Sequence, residues 1–283
     1  MAEIRTCPVT GRTVLVRPEW VDVASAPVRA TGACEACRHP RRAGALIARA
    51  FEVTARAYPF PVLALEGEAV ARTEAGAVRR DAFGIHERIA GPHVAREGPL
   101  LAMVAQRIDA LRRDSRLRSF RAGRRHVSGA HAVWNLYGLP WEVASEALAP
   151  WRARERADGA RTLLDQDGAF AAMAWAPRVP FEAWVCPAAG ADPFGRATVH
   201  AVGDAVARVR TLLGRALRDP VIDLVLVEGT PWRIELVPRV ADRTLVEAAT
   251  GLAVHGVLPE IAAAFLLELA AIPASPLSPK EPE

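Results

Sequence analysis

The sequence has 283 residues, of which 51% are hydrophobic, and a formal net charge of +4. That length can bury a substantial core, as one large domain or as two similar lobes. The longest apolar run, 169–176, is far below the ~20 residues that cross a bilayer, and residues 1–12 show no export signal, so we expect a cytoplasmic protein without a membrane span. Its positive charge is nearly all arginine and is spread along the chain, so we expect no nucleic-acid binding.

Hydrophobic patterns in the first half predict several strands and one helix. Short β-branched or apolar runs are typical of strands, and they occur at 13–16, 51–65 and 84–89. Leu100, Val104 and Leu111 belong to a series at helical spacing, which predicts an amphipathic helix over 99–116. The segment 25–40 is predicted to be a loop, and it carries two closely spaced cysteines.

A further strand is predicted over 131–137, because two classes of residue alternate there. His131, Val133 and Asn135 share one face of this strand with Tyr137, and the apolar residues between them share the other. The face with Asn135 is the one that bears on function.

The second half repeats this composition of strands and helices. A surface helix over 149–165 is predicted at the boundary, followed by strands at 169–175, 182–186, 221–227 and 232–237. One helix is predicted with Asp204 as its N-cap, and the last helix is predicted to run from Pro259 to about residue 271. The elements together predict an α+β protein of antiparallel sheet, with lobes at 1–160 and 161–272 and a disordered Pro/Ser-rich tail at 273–283.

Eight short sequence segments, taken in their order along the chain, indicate a resemblance to known enzymes. They are CPVTGRTVLVRP at 7–18, CEAC at 34–37, YP at 58–59, GIHERIAGPH at 84–93, GAHAVWNLYGLP at 129–140, PFEAWVCP at 180–187, WRIELVPR at 232–239, and EAATG at 247–251 with PE at 259–260. In this order they resemble segments of galactose-1-phosphate uridylyltransferases and dinucleoside-polyphosphate phosphorylases of the histidine-triad superfamily. The resemblance implies a histidine-triad (HIT-like) fold of two related lobes, a nucleotide or sugar-nucleotide ligand, and a homodimer.

The resemblance also implies a metal site of four residues: Cys34, Cys37, His93 and His131. Two thiolates and two imidazoles form a tetrahedral set that suits zinc, and a site closed by four protein ligands is structural. The alternatives are a pair of free thiols with two hydrogen-bonded histidines, and a site in which His39 substitutes for a ligand.

The catalytic motif of the family departs from its usual form in this chain. The resemblance places Val133 where the family has the histidine that attacks the α-phosphorus, and valine has no lone pair to donate. Asn135 stands at the position of a phosphate-supporting glutamine and still offers an amide. Arg17, Arg124 and Ser128 are further candidate phosphate contacts, as are Arg29 and Arg125.

Three functions follow. The first is a zinc-stabilised nucleotide or sugar-nucleotide binding protein without the histidine nucleophile, which is either a pseudoenzyme or a noncovalent transferase or hydrolase. The second is an active nucleotidyltransferase or phosphorylase, with a shifted register that makes His126 or His131 the nucleophile. The third is a scaffold or regulatory protein with a contact surface at Trp141 and Trp151. The roles of His86 and His126 stay open.

Overall fold

A computed structural model describes residues 44–58, 84–92, 96–126, 131–140, 148–166, 168–229, 231–240 and 256–272, and the backbone of 3–6, 13–16, 71–73 and 76–80. These ranges contain the strands β1 Glu3–Thr6, β2 Thr13–Val16, β3 Leu46–Ala50, β4 Val53–Ala57, β5 Ala71–Thr73, β6 Gly76–Arg80, β7 Ile85–Ala90, β8 Ser119–His126, β9 Val133–Leu139, β10 Thr162–Gln166, β11 Ala169–Met173, β12 Ala183–Pro187, β13 Ile222–Val227 and β14 Arg233–Pro238. The helices are α1 Glu97–Leu111, α2 Leu148–Asp158, α3 Arg196–Leu217 and α4 Pro259–Ala271.

Ten of the strands form one continuous antiparallel sheet in the order β10-β11-β12-β14-β13-β8-β9-β7-β4-β3. Five come from each half of the chain, and the pairing of β8 with β13 joins the halves. The predicted α+β class with antiparallel sheet is therefore confirmed. The remaining strands form a separate sheet, β2-β1-β6-β5.

One face of the large sheet is covered by helices α1, α3 and α4. Its core includes Ile89, Trp134 and Leu236, which are completely buried. Helices α1 and α3 approach closely at Gly98 and Gly203, where a Cβ on residue 203 would overlap the backbone nitrogen of Gly98. Only glycine allows that approach, so the sequence fixes where the two helices meet.

The opposite face, which we call the second face, is covered differently. Helix α2 packs on it through Trp151, whose ring lies 5.8 Å from Phe170 and 5.2 Å from Trp184. Trp151 is buried in this small core, so it is not the exposed contact residue that the scaffold hypothesis required. Trp141 lies outside the described residues.

Several predicted elements differ from those observed. Gly159, with a φ of 73°, ends α2, so the predicted helix over 149–165 is in fact a helix followed by β10. Helix α3 begins at Arg196, so Asp204 lies within it and is not its N-cap. Strand β8 was not predicted from the sequence. Within the described ranges, no helix has both the length and the apolarity needed to cross a membrane.

Candidate functional site

Strands β7, β9 and β8 bring the residues of interest together on the second face. In the register of the sheet, Arg88 of β7 lies opposite Asn135 of β9, and Asn135 lies opposite Gly123 of β8. Val133 and Asn135 are half-buried on this face, whereas Trp134 between them is fully buried beneath the helices. The predicted alternation is confirmed, although the strand begins at Val133 and His131 precedes it.

Asn135 is held by a histidine that is itself held between two tyrosines. The Nε2 atom of His86 lies 3.3 Å from Oδ1 of Asn135. The His86 ring stacks on Tyr58 with centroids 4.2 Å apart and lies 4.5 Å from the ring of Tyr137. His86 is only 7% exposed. The imidazole therefore has little freedom to turn, and Asn135 has a fixed neighbour.

Gly123 leaves bare backbone beside Asn135. Among the described residues, a Cβ added there would meet one heavy atom within 4 Å, the carbonyl oxygen of Leu224 at 3.9 Å. The fold does not require glycine at this position, since an added Cβ would be in ordinary contact. A glycine inside a strand often marks a place where a ligand approaches the backbone closely.

Three arginines lie on this face: Arg88, Arg121 and Arg125. Arg125 forms an ion pair with Asp223, with Nε 2.8 Å from Oδ1. Burial lowers the pKa of Arg121, but a guanidinium remains protonated in proteins. Arg88 has no ion pair among the described residues. Sequence reasoning named Arg125 and missed the other two, although alternation within β7 and β8 places all three on one face.

Arg124 was expected to contact phosphate, and the structure corrects this expectation. Its side chain lies on the helix-covered face, where Nη1 donates to Glu97 of α1. Glu97 also accepts from Arg210 Nη1 at 3.2 Å and from Trp134 Nε1 at 3.4 Å. Because neighbouring residues of a strand face opposite sides, Arg124 is turned away from Asn135. Its role is to join β8 to the helices.

His126 belongs to the same buried cluster. Its Nδ1 lies 3.3 Å from Arg124 Nη2 and 3.4 Å from Arg210 Nη1. Burial, followed by the charges of Arg210 and Arg124, lowers the pKa of His126 to about 4. The neutral imidazole thus accepts from the guanidinium groups on the helix side of the sheet, away from Val133.

Only one of the predicted zinc ligands lies within the described residues. His131 is half-buried immediately before β9, while Cys34, Cys37 and His93 lie outside the described ranges, as do His39, Arg17, Arg29 and Ser128. Within the ranges that are described, no three His, Cys, Asp or Glu side chains cluster closely enough to hold a metal. Cys186 is buried, which raises the pKa of its thiol to about 11 and keeps it protonated.

Comparison with solved structures decides the fold. A uridylyltransferase structure superposes with a TM-score of 0.69 at 16% identity, over 93% of this chain and 97% of that one. The protein has the uridylyltransferase fold. An Arabidopsis thaliana ADP-glucose phosphorylase with bound ADP-glucose superposes with a TM-score of 0.68 at 17% identity, over 95% of this chain and 99% of that one. No protein-family model and no curated protein matches the sequence.

A third structure, a GalT-like protein from Arabidopsis thaliana, has a TM-score of 0.63 at 16% identity and covers 81% of this chain and 89% of that one. The expected histidine-triad fold is therefore confirmed. At such identities the uridylyltransferase fold is shared, and function has to be argued from the site itself.

Proposed function

We propose that the protein binds a nucleotide or sugar nucleotide on the second face, around Asn135, without a covalent histidyl intermediate. The observation that carries the proposal is that Val133, an aliphatic residue, shares this face with Asn135, next to Arg88 and Gly123. The site has the donors that hold a phosphate but no nucleophile at the expected position. A structural neighbour with bound ADP-glucose supports the ligand class.

Binding of a nucleotide at this face requires hydrogen-bond donors for its phosphates and space for the ligand. Arginine holds phosphate oxygens through paired N–H groups, and the amide of Asn135 adds neutral donors. Arg88 and Arg121 lie on the strands that flank β9, one on each side. Gly123 leaves room for the ligand to lie against the sheet between them.

A reaction without a covalent intermediate requires that His86 and His126 do not take the place of the missing nucleophile at residue 133. Val133 pairs with Ala90 of β7, and its side chain shares the second face with Asn135. His126 lies among arginines on the other face, and His86 is engaged with Asn135. Any transfer would then proceed by direct attack of an acceptor or water on phosphorus, in a noncovalent transferase or hydrolase. A pseudoenzyme would bind without reacting.

Restoring the nucleophile tests the proposed absence of a covalent intermediate. Wild-type protein incubated with UDP-glucose or ADP-glucose is expected to show no mass increase after denaturation. Val133→His should acquire a nucleotidyl group, because an imidazole there can attack the α-phosphorus and release the sugar phosphate. Val133→Asn, polar but not nucleophilic, is the matched control. A stable adduct on the wild type would instead establish the shifted-register enzyme.

We further propose that Cys34, Cys37, His93 and His131 hold a structural zinc ion. The donor chemistry of two thiolates and two imidazoles supports this assignment. Zinc there would tie the segment containing the cysteines to the start of β9, and it would take no part in phosphoryl chemistry. The homodimer and the cytoplasmic location stay predictions.

The zinc proposal predicts a specific result for one cysteine variant. Cys34→Ser should lose bound zinc and several kcal/mol of stability, because binding of a structural zinc contributes directly to folding. Cys7→Ser makes the same replacement at a cysteine outside the proposed set and should keep its metal. Elemental analysis of both purified proteins, with thermal unfolding, checks this. Equal zinc contents in the two variants would defeat the assignment.

A further inference from the structure

We infer that His86 is a positioning residue, which fixes the amide of Asn135 so that the site receives an anionic oxygen of its ligand. This inference rests on the proposed function and deepens it. The resemblance already implies a phosphate contact for Asn135, and the inference adds the residue that orients its amide.

The contact with Asn135 determines which ring nitrogen of His86 carries the proton. An amide oxygen only accepts hydrogen bonds, so the contact of 3.3 Å between His86 Nε2 and Asn135 Oδ1 requires the proton on Nε2. The tautomer of a neutral histidine is set by such a partner. His86 is therefore the donor, and the amide oxygen of Asn135 is directed toward it.

Neighbouring residues hold the His86 ring in one orientation. Tyr58 and Tyr137 pack against the His86 ring, with centroids at 4.2 and 4.5 Å. The backbone nitrogen of Tyr58 also donates to the carbonyl oxygen of His86 at 3.0 Å, which ties the end of β4 to β7. Since the ring is buried between two aromatic side chains, its N–H bond keeps one direction. The Nε2–H group of His86 is therefore a donor of fixed direction for Oδ1 of Asn135.

The orientation of the Asn135 amide determines which of its atoms face the ligand. With Oδ1 directed toward His86, the two N–H donors on Nδ2 lie at the opposite edge of the planar amide and point away from His86. Without His86, the amide could turn over and present its oxygen, which repels an anion. Arg88, which lies opposite Asn135, and Arg121, which lies opposite Tyr137, favour a negatively charged acceptor near the amide. The donors of Asn135 therefore suit a phosphate oxygen.

Two His86 variants separate this role from simple packing. His86→Phe keeps an aromatic ring between Tyr58 and Tyr137 but removes the N–H donor. His86→Gln returns an N–H donor near the position of Nε2. Titration calorimetry with UDP-glucose is expected to show affinity about 10-fold weaker for His86→Phe, with most of the loss recovered in His86→Gln. Binding of uridine, which has no phosphate, should change by less than about 2-fold.

A double-mutant cycle tests whether His86 acts through Asn135. In an Asn135→Ala background, His86→Phe should weaken UDP-glucose binding by less than about 2-fold, since the amide it positions is gone. An equal loss in both backgrounds would overturn the inference, because His86 would then act independently of Asn135.

A measurement without ligand keeps this inference separate from the proposed function. Nitrogen-15 NMR of the wild type should show His86 as the Nε2–H tautomer, and the Nδ1–H tautomer would overturn the positioning role. Failure of the wild type to bind either UDP-glucose or ADP-glucose would defeat the proposed function, and the tautomer would still decide the role of His86.

Discussion

Replacing Glu97 by glutamine is expected to lower the free energy of unfolding by about 3–5 kcal/mol. The Glu97 side chain is 1% exposed and receives bonds from two arginines, Arg124 and Arg210, and from Trp134. Glutamine has nearly the same shape but no charge, so Arg124, which is buried, and Arg210, which is 25% exposed, would lose the carboxylate that pairs with both. Removing one partner of a buried ion pair costs much more than removing an exposed one, because the remaining charge stays out of water.

Asp165→Asn is the matched control for Glu97→Gln. Asp165 pairs with Arg156 on the surface, where the two side chains are 34% and 47% exposed. Such a pair contributes about 0–1 kcal/mol, since water and salt screen it. Urea unfolding of both variants checks the prediction. Similar losses in the two proteins would mean that Glu97 does not hold β8 to the helices as described.

Gly123→Val is expected to weaken binding of UDP-glucose by at least about 30-fold, or about 2 kcal/mol, while leaving the fold intact. The new side chain would project from β8 beside Asn135, where the proposal places the ligand. Within the described part of the chain, its Cβ would have one neighbour within 4 Å, the Leu224 carbonyl oxygen at 3.9 Å, so we expect the fold to form. Valine also favours strands more than glycine does, so thermal stability should be equal or higher.

A graded series makes the steric argument for Gly123 specific. Gly123→Ala adds one carbon and should weaken binding less than Gly123→Val does, with both proteins unfolding at or above the wild-type temperature. Calorimetric titration and thermal unfolding of the same samples provide the test. Unchanged affinity in Gly123→Val would place the ligand elsewhere on the protein.

The main features of the fold could be predicted from local patterns. The alternation around Asn135 gave the faces of β9 correctly, because a strand buried on one side needs apolar residues at every second position. Pro259 marked the start of α4, because proline fits the first turn of a helix. These features depend on residues close together in sequence, which explains why they could be read without a structure.

The site itself depended on pairings that local patterns do not contain. Strand β8 has two adjacent arginines, and the carboxylate that pairs with the inward-facing one, Arg124, belongs to Glu97, which is 27 positions away in sequence. The contact between His86 and Asn135 likewise spans 49 positions and follows from the pairing of β7 with β9. Sequence alone therefore gave candidate residues, and the sheet register decided which of them face one another.

Native mass spectrometry with UDP-glucose and ADP-glucose tests the central claim most directly. Under nondenaturing conditions, we expect a complex of the protein with at least one of these ligands, and the same sample should return to the unmodified protein mass on denaturation. A ligand-derived mass that survives denaturation would contradict the absence of a covalent intermediate. No complex with either ligand would contradict the nucleotide site around Asn135.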